Sequence, residues 1–246
     1  MINFNNRSLP NWARVIDIDR PLFAPINVTS ANVSRRSGSL FFSKRFESAA
    51  IQVLLRINTT SRAVLRQRIR DLAVFFHTEG LARLIFSDEP DKYINATVGG
   101  ESPISETAVF GDILVNFYCP DPFWYAINDD IRTITSTGNN AMVVRGTAHS
   151  YPLINIRGVS TTGFITIATG GNSMRYTGAL ANGEVLVLDS ELMTAFIQRA
   201  NTRIPVMHRL SNLDFLVLTS GSNTINVVTS NFTLQNVVVE ARARWL

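Results

Sequence analysis

Apolar and polar residues alternate with a period of two along much of this chain, and one segment breaks that rhythm. In SRAVLRQRIRDLAVFFHTEG, Ser61 to Gly80, the residues Leu65, Ile69, Leu72 and Phe76 recur at spacings of four, three and four, the stripe of an amphipathic helix. Thr60 or Ser61 supplies a capping hydroxyl and Gly80 is placed to end the helix in the left-handed conformation, so a helix is expected over 61–79. A lone helix among strands must lay its apolar stripe on a sheet. The expected class is therefore mainly β with one helix. Arg62, Arg66, Arg68 and Arg70 fill the rest of the helix surface, either as a solvated face or as a subunit contact.

Strands precede and follow this helix. ARVIDID alternates Val15 and Asp17 with Ile16 and Ile18, and the apolar run from Ala49 to Ile57 reads as a second strand. Between them SRRSGS, with Arg35 and Arg36, reads as a polar loop. After the helix, LIFSDEPDKYINATVGG places three carboxylates, Asp88, Glu89 and Asp91, within four residues. Leu84 and Phe86 alternate with Arg83, Ile85 and Ser87 before the turn, and Ile94, Ala96 and Val98 alternate with Tyr93, Asn95 and Thr97 after it. Pro90 stands where a type I turn prefers proline, with acidic side chains on both sides to accept backbone hydrogen bonds. The carboxylates thus belong to a hairpin tip, and the Asp-x-Asp-x-Asp-Gly spacing of an oxygen-ligand metal loop is missing. In DILVNFYC, Ile113, Val115, Phe117 and Cys119 share one apolar face, which makes Cys119 a packed small hydrophobe. The strand stops at CPDPFWYA, with Asp121 and Pro122 in the turn.

A chain of 246 residues has room for two domains of roughly 100–150 residues each. No run nears the roughly 18 apolar residues of a membrane span, and MINFNNRSLP lacks the layout of a secretory signal. One cysteine excludes an internal disulfide framework. The net charge of +4 is evenly divided, with 14 basic against 12 acidic residues in 1–125 and 9 against 7 in 126–246. Nucleic-acid binders concentrate their arginines on one surface with aromatics among them. Here arginines are spread along the chain and suit protein interfaces better.

The second half begins after a polar stretch, Asn128 to Gly138, that reads as a linker. Beyond it MVVRG, PLINIRG, GFITIAT, SMRYTG, EVLVLD, DFLVLT and TINVVT recur as short strands between turns such as TGGN, LANGE and TSGSN, the pattern of a β-sandwich. VVVEARARWL reads as a half-buried strand reaching the last residue. Two destinations are open to it: the last strand of the sandwich, or a return to the first domain.

A strand, an arginine-bearing helix, the turn Asp88-Glu89-Pro90-Asp91 followed by Tyr93, and an apolar strand closing with Cys119-Pro120-Asp121-Pro122-Phe123 together resemble the N-terminal domain of distal tail proteins of long-tailed bacteriophages. YTGALANGEVLVLDS and DFLVLTSGSNTINVV resemble the galectin-like domain at the C-terminus of the same proteins. That family has a Leu-x-Pro-Gly-x-Asn-x-Ile turn, and this chain keeps Gly221, Asn223 and Ile225 with Ser220 in place of proline. The resemblance implies an N-terminal ring-forming, β-sandwich-like domain over 1–130, completed by strand 236–246 if that strand returns to it, and a galectin-like β-sandwich over 131–235. It implies a homohexameric ring that joins the tail tube protein to the tail-tip or receptor-binding apparatus. It implies also a channel through which DNA passes without specific binding, and a place in the virion after assembly in the bacterial cytoplasm, with no membrane partner. Arg35, Arg36, Arg62, Arg66 and Arg70 are the expected subunit-contact residues.

A second class is a carbohydrate-binding module for host surface glycans, since a galectin-like fold invites it. Trp12, Trp124 and Trp245 all lie outside the expected sandwich, leaving Tyr151 and Tyr176 as candidate plates for a sugar ring. An enzyme is not expected: His77, His149 and His208 are scattered, and no Gly-x-Ser-x-Gly, His-Glu-x-x-His or phosphate-loop motif occurs. No catalytic residue, metal ligand or cofactor site is assigned.

Overall fold

The computed structural model describes residues 1–107 and 109–246. The chain forms two units, Met1–Trp124 with Leu246, and Tyr125–Trp245. The first unit holds β1 (Ile2–Phe4), β2 (Arg7–Ser8), β3 (Ala13–Asp19), β4 (Ile26–Asn32), β5 (Ser39–Phe46), β6 (Ala49–Asn58), α1 (Arg62–Phe76), β7 (Ala82–Phe86), β8 (Lys92–Val98), β9 (Ile104–Glu106) and β10 (Phe110–Cys119). The mainly β class is thus what the chain forms, with a single α-helix among the described residues.

The strands of the first unit run in the order β2-β1-β7-β8-β10-β6-β3, with β9 on β10. Strand β8 meets β10 at two residue pairs only, Val98 with Phe117 and Thr97 with Tyr118, so the sheet curls there. Its alternate residues Ile51, Val53, Leu55, Ile57, Leu84, Phe86, Ile113, Val115 and Phe117 point into one core. Helix α1 adds Leu65, Leu72, Phe75 and Phe76 to that core. Ser61 caps its start, its Oγ accepting from Val64 N at 3.4 Å. The helix ends at Phe76, short of the expected boundary at 79, because His77 turns extended. Gly80 therefore does not serve as its cap.

Strands β4 and β5 form a two-stranded sheet of their own, registered from Ile26 opposite Phe46 to Asn32 opposite Ser39 with a bulge at Thr29/Ser30. The loop SRRSGS is its tip.

Past β11 (Trp124–Ala126), the second unit holds β12 (Asp130–Ile134), β13 (Gly138–Val144), β14 (Leu153–Thr169), β15 (Asn172–Thr177), β16 (Val185–Asp189), β17 (Thr194–Arg199), β18 (Thr202–Pro205), β19 (Leu210–Ser211), β20 (Gly221–Ala241) and β21 (Arg244–Trp245). The main path is β12-β20-β14-β16-β17-β18. Segments PLINIRG and GFITIAT are one 17-residue strand, and TINVVT continues into VVVEA as one of 21 residues. These two strands pair along most of their length, with register shifts at Arg157/Gly158 and Ser160/Phe164. The shifts bend the ladder so that Ile154 and Ile156 before them, and Ile165 and Ile167 after them, line the same core. Close backbone approach at the bend requires glycine: a Cβ on Gly163 would sit 2.1 Å from the carbonyl oxygen of Asn231.

Two readings of the sequence change here. Within the expected linker, residues 130–134 form β12 against residues 237–241, with Ile134 buried. A strand with one buried side chain shows no apolar alternation, so the sequence hid it. Residues 214–219 form no regular strand, although Leu216 and Leu218 are buried and Leu218 bridges Ser150. Residues 236–241 lie in β20 of the second unit, while Leu246 groups with the first.

Replacing Gly163 by Ala forces backbone to move at the bend, so Gly163→Ala is expected to cost about 1–3 kcal/mol, the usual range for overpacking. Chemical denaturation of the variant beside the parent chain measures it, and unchanged stability would contradict the close approach.

Candidate assembly surface

The acidic turn is held by partners inside the first unit. Glu89 N donates to Phe86 O at 3.2 Å and Lys92 N to Glu89 O at 3.2 Å, two successive turns with Pro90 as the second residue of the latter. Arg20 pairs with Asp88 and, at 3.5 Å, with Glu89, while its guanidinium lies 4.6 Å from the centre of the Phe86 ring. Lys92 Nζ reaches Glu89 Oε1 at 2.6 Å. The hydrogen bond from Arg20 holds the Asp88 carboxyl below the usual carboxylate range. Asp91 is exposed, and Tyr93 packs under the guanidinium of Arg83, 4.3 Å from its ring centre. The cluster fastens the chain after β3 to the β7–β8 hairpin. Among the described residues no group of three or more His, Cys, Asp or Glu side chains is arranged to hold a metal.

The other motif residues also act within turns. Asp121 Oδ1 accepts from Phe123 N at 3.2 Å, with Pro122 between them. Asn223 accepts from Thr219 N at 3.0 Å and donates to Thr219 O at 2.8 Å and to Gly221 O at 3.0 Å, while Gly221 takes a φ of +88°. Ser220, where the family has proline, donates its hydroxyl to Gly146 O at 2.6 Å. Cys119 is fully buried, and burial pushes its thiol up to about 12.

Arginines divide into two groups. Arg56 pairs with Asp112 through two 2.7 Å hydrogen bonds between β6 and β10, and these hold the Asp112 carboxyl below the usual range. Arg7 donates to Phe75 O at the C-terminal end of α1, and Arg68 donates to Asn58 O while lying 5.2 Å from the Trp12 ring centre. Of the five expected contact residues, Arg66 is already paired with Glu106 at 2.9 Å. Arg35, Arg36, Arg62 and Arg70 are exposed and form no salt bridge among the described residues. Arg35 and Arg36 sit at the tip of the β4–β5 hairpin, and Arg35 has a φ of +63°.

That hairpin is the feature the sequence reading missed. Phe46 meets Phe123 at its base, ring centres 6.0 Å apart, and Glu47 N donates to Pro25 O at 2.8 Å. Beyond the base, Val28, Leu40, Phe41 and Phe42 are exposed, the two phenylalanines by 62% and 60%. Residues 26–46 carry Arg35, Arg36, Lys44 and Arg45 and no acidic residue. Two β-prone runs flanking a Ser-Gly turn, INVTSAN and SLFFSKRF, were the available signal.

Sequence and fold comparisons agree on the class of protein. Residues 6–119, nearly the whole first unit, match the family model of the phage tail protein RIFT-related domain. The first unit thus carries a domain of the phage tail protein type. Over its full length it has the fold of the Dit protein of phage SPP1, described as a paradigm of the hub adsorption apparatus of phages infecting Gram-positive bacteria, with a TM-score of 0.83 at 17% identity, covering 100% of this chain and 98% of that one. Two structures of the phage p2 baseplate in its activated conformation share the fold more loosely. The strontium form gives a TM-score of 0.51 at 7% identity over 96% of this chain and 92% of that one, and the calcium form 0.50 at 8% over 94% and 91%. No curated protein sequence matches the chain. The resemblance to distal tail proteins read from the sequence is borne out by the family and the fold.

Asp88 and Asp112 titrate lower in the folded than in the unfolded chain, so their pairs stabilise the fold above the ordinary carboxylate pKa of about 4 and lose that contribution as pH falls through the lower, folded value. The melting temperature of the parent chain should therefore fall further than that of Asp112→Asn between about pH 6 and about pH 3. The effect is small because such exposed pairs contribute little. Parallel slopes would show that the Arg56 pair does not contribute.

Proposed function

We propose that this protein is a structural hub of a phage tail. Six copies form a ring through their first units, joining the tail tube protein to the tail-tip or receptor-binding proteins and leaving a channel for DNA. The single observation that carries the reading is the β4–β5 hairpin, an arm with exposed apolar side chains and only cationic charges that has no packing partner beyond its base among the described residues. A head-to-tail contact, in which an arm of one subunit meets a different patch on the next, closes into a ring when the rotation permits. Exposed aromatics and arginines are the residue types that anchor such contacts. The helix surface with Arg62 and Arg70 is the second contact proposed. The proposed role is non-enzymatic and needs no cofactor, with the protein assembled in the host cytoplasm and carried in the virion.

Light scattering on the purified chain is expected to give a particle near six times 27.3 kDa, with a central hole in negative-stain images. The double variant Phe41→Asp and Phe42→Asp should fold and remain monomeric, and a ring formed by it would overturn the role of the hairpin. Charge reversal at Arg62 together with Arg70 should weaken assembly, whereas intact rings would remove the helix from the contact.

A further inference from the structure

The outward face of the main sheet of the second unit carries a recessed groove of about 310 Å³. Val185 and Val187 of β16 and Val238 of β20 line it together with Asn155 and Arg157 of β14, Asn236 and Glu240 of β20, and Gln198 of β17. Register sets them side by side: Asn155 opposes both Val187 and Val238, Arg157 opposes Asn236, and Val185 opposes Gln198. The alternate residues Ile154, Ile156, Leu186, Leu188, Val237 and Val239 fill the core. Outward positions on such a sheet ordinarily stand in water. Val187 is nevertheless only 7% exposed, so the floor is sunk between its polar neighbours.

The polar groups there are incompletely used. Asn155 Nδ2 donates to Glu240 Oε1 at 3.2 Å, which leaves the other carboxylate oxygen and the Asn155 carbonyl as acceptors. Gln198 turns its amide nitrogen to the carbonyl of Ala200 and keeps its own side-chain oxygen. Asn236 Oδ1 is shut off from solvent and accepts no hydrogen bond, an unfavourable state that a donor would relieve. Arg157 is exposed and forms no salt bridge among the described residues, leaving its guanidinium fork as a donor. On the same face Phe196 stands opposite Val187, with the Arg203 guanidinium 4.8 Å from its ring centre. A matching ligand must donate to several acceptors, accept from one guanidinium, and lay C–H surface on valine, all within a small cleft. Adjacent ring hydroxyls meet that demand, since each both donates and accepts. A peptide strand, with one donor and one acceptor per residue on alternating sides, does not.

We propose that this groove is a saccharide-binding site, with Arg157, Asn155, Asn236 and Glu240 addressing hydroxyls and the valine floor taking the C–H face of the sugar ring. The site lies wholly within the second unit and does not depend on ring assembly, so it stands or falls separately from the hub reading. Saturation-transfer-difference NMR of the full-length chain tests it, with neutral oligosaccharides built from hexoses and N-acetylhexosamines as probes. The proposal expects transfer to at least one probe, abolished or reduced at least tenfold by Arg157→Ala and by Glu240→Ala, each with an unfolding midpoint matching the parent. The conservative Arg157→Lys should recover part of the signal. Silence across the panel at millimolar sugar, or binding that survives both alanine variants, would overturn it.

Discussion

The first unit depends on closing the concave side of a curled sheet. A sheet that bends away at the narrow β8–β10 junction cannot cover its own apolar surface, and one helix does so. Phe76 of α1 meets Phe4 of β1 and Phe117 of β10 at ring-centre distances of 6.0 and 5.7 Å, and Phe4 meets Phe117 at 5.3 Å. These three rings join the helix to strands on either side of the β8–β10 junction, at separations where aromatic pairs attract. The β4–β5 hairpin contributes no residue to this core, and beyond its base its apolar side chains stand in solvent.

What was legible in the sequence is what the core enforces. Leu65, Leu72 and Phe76 announce a helix because burial demands their spacing, and Ile113 to Cys119 announce a strand for the same reason. The hairpin and β12 escaped notice because neither has a regular buried face to impose a period of two. Arginine roles were equally hidden. Arg56 and Asp112 are 56 positions apart, and only the β6–β10 register makes them neighbours. Arginine density therefore pointed to contact surfaces, although Arg7, Arg20, Arg56, Arg66 and Arg68 are engaged within the unit.

In the second unit, the sequence showed many short strands because Gly158, Gly163 and Asn231 interrupt the alternation. The backbone instead runs through them, and the interruptions mark bends in two long strands. The same misreading concealed the groove. Its residues belong to strands far apart in the chain, and the tyrosines favoured as sugar plates are otherwise engaged. Tyr176 is buried with its hydroxyl donating to Ala179 O at 2.7 Å, and Tyr151 lies under the guanidinium of Arg244, 4.8 Å from its ring centre.

The uniform positive charge of the hairpin has a consequence for copies of the chain that meet in solution. A long apolar β-ribbon waiting in solution is a template for uncontrolled stacking with its own kind. Identical arms bearing four cationic side chains repel one another, so Arg35, Arg36, Lys44 and Arg45 oppose the stacking of one ribbon on another. Like charge along the ribbon thus sets a barrier between identical arms that an acidic surface would not meet.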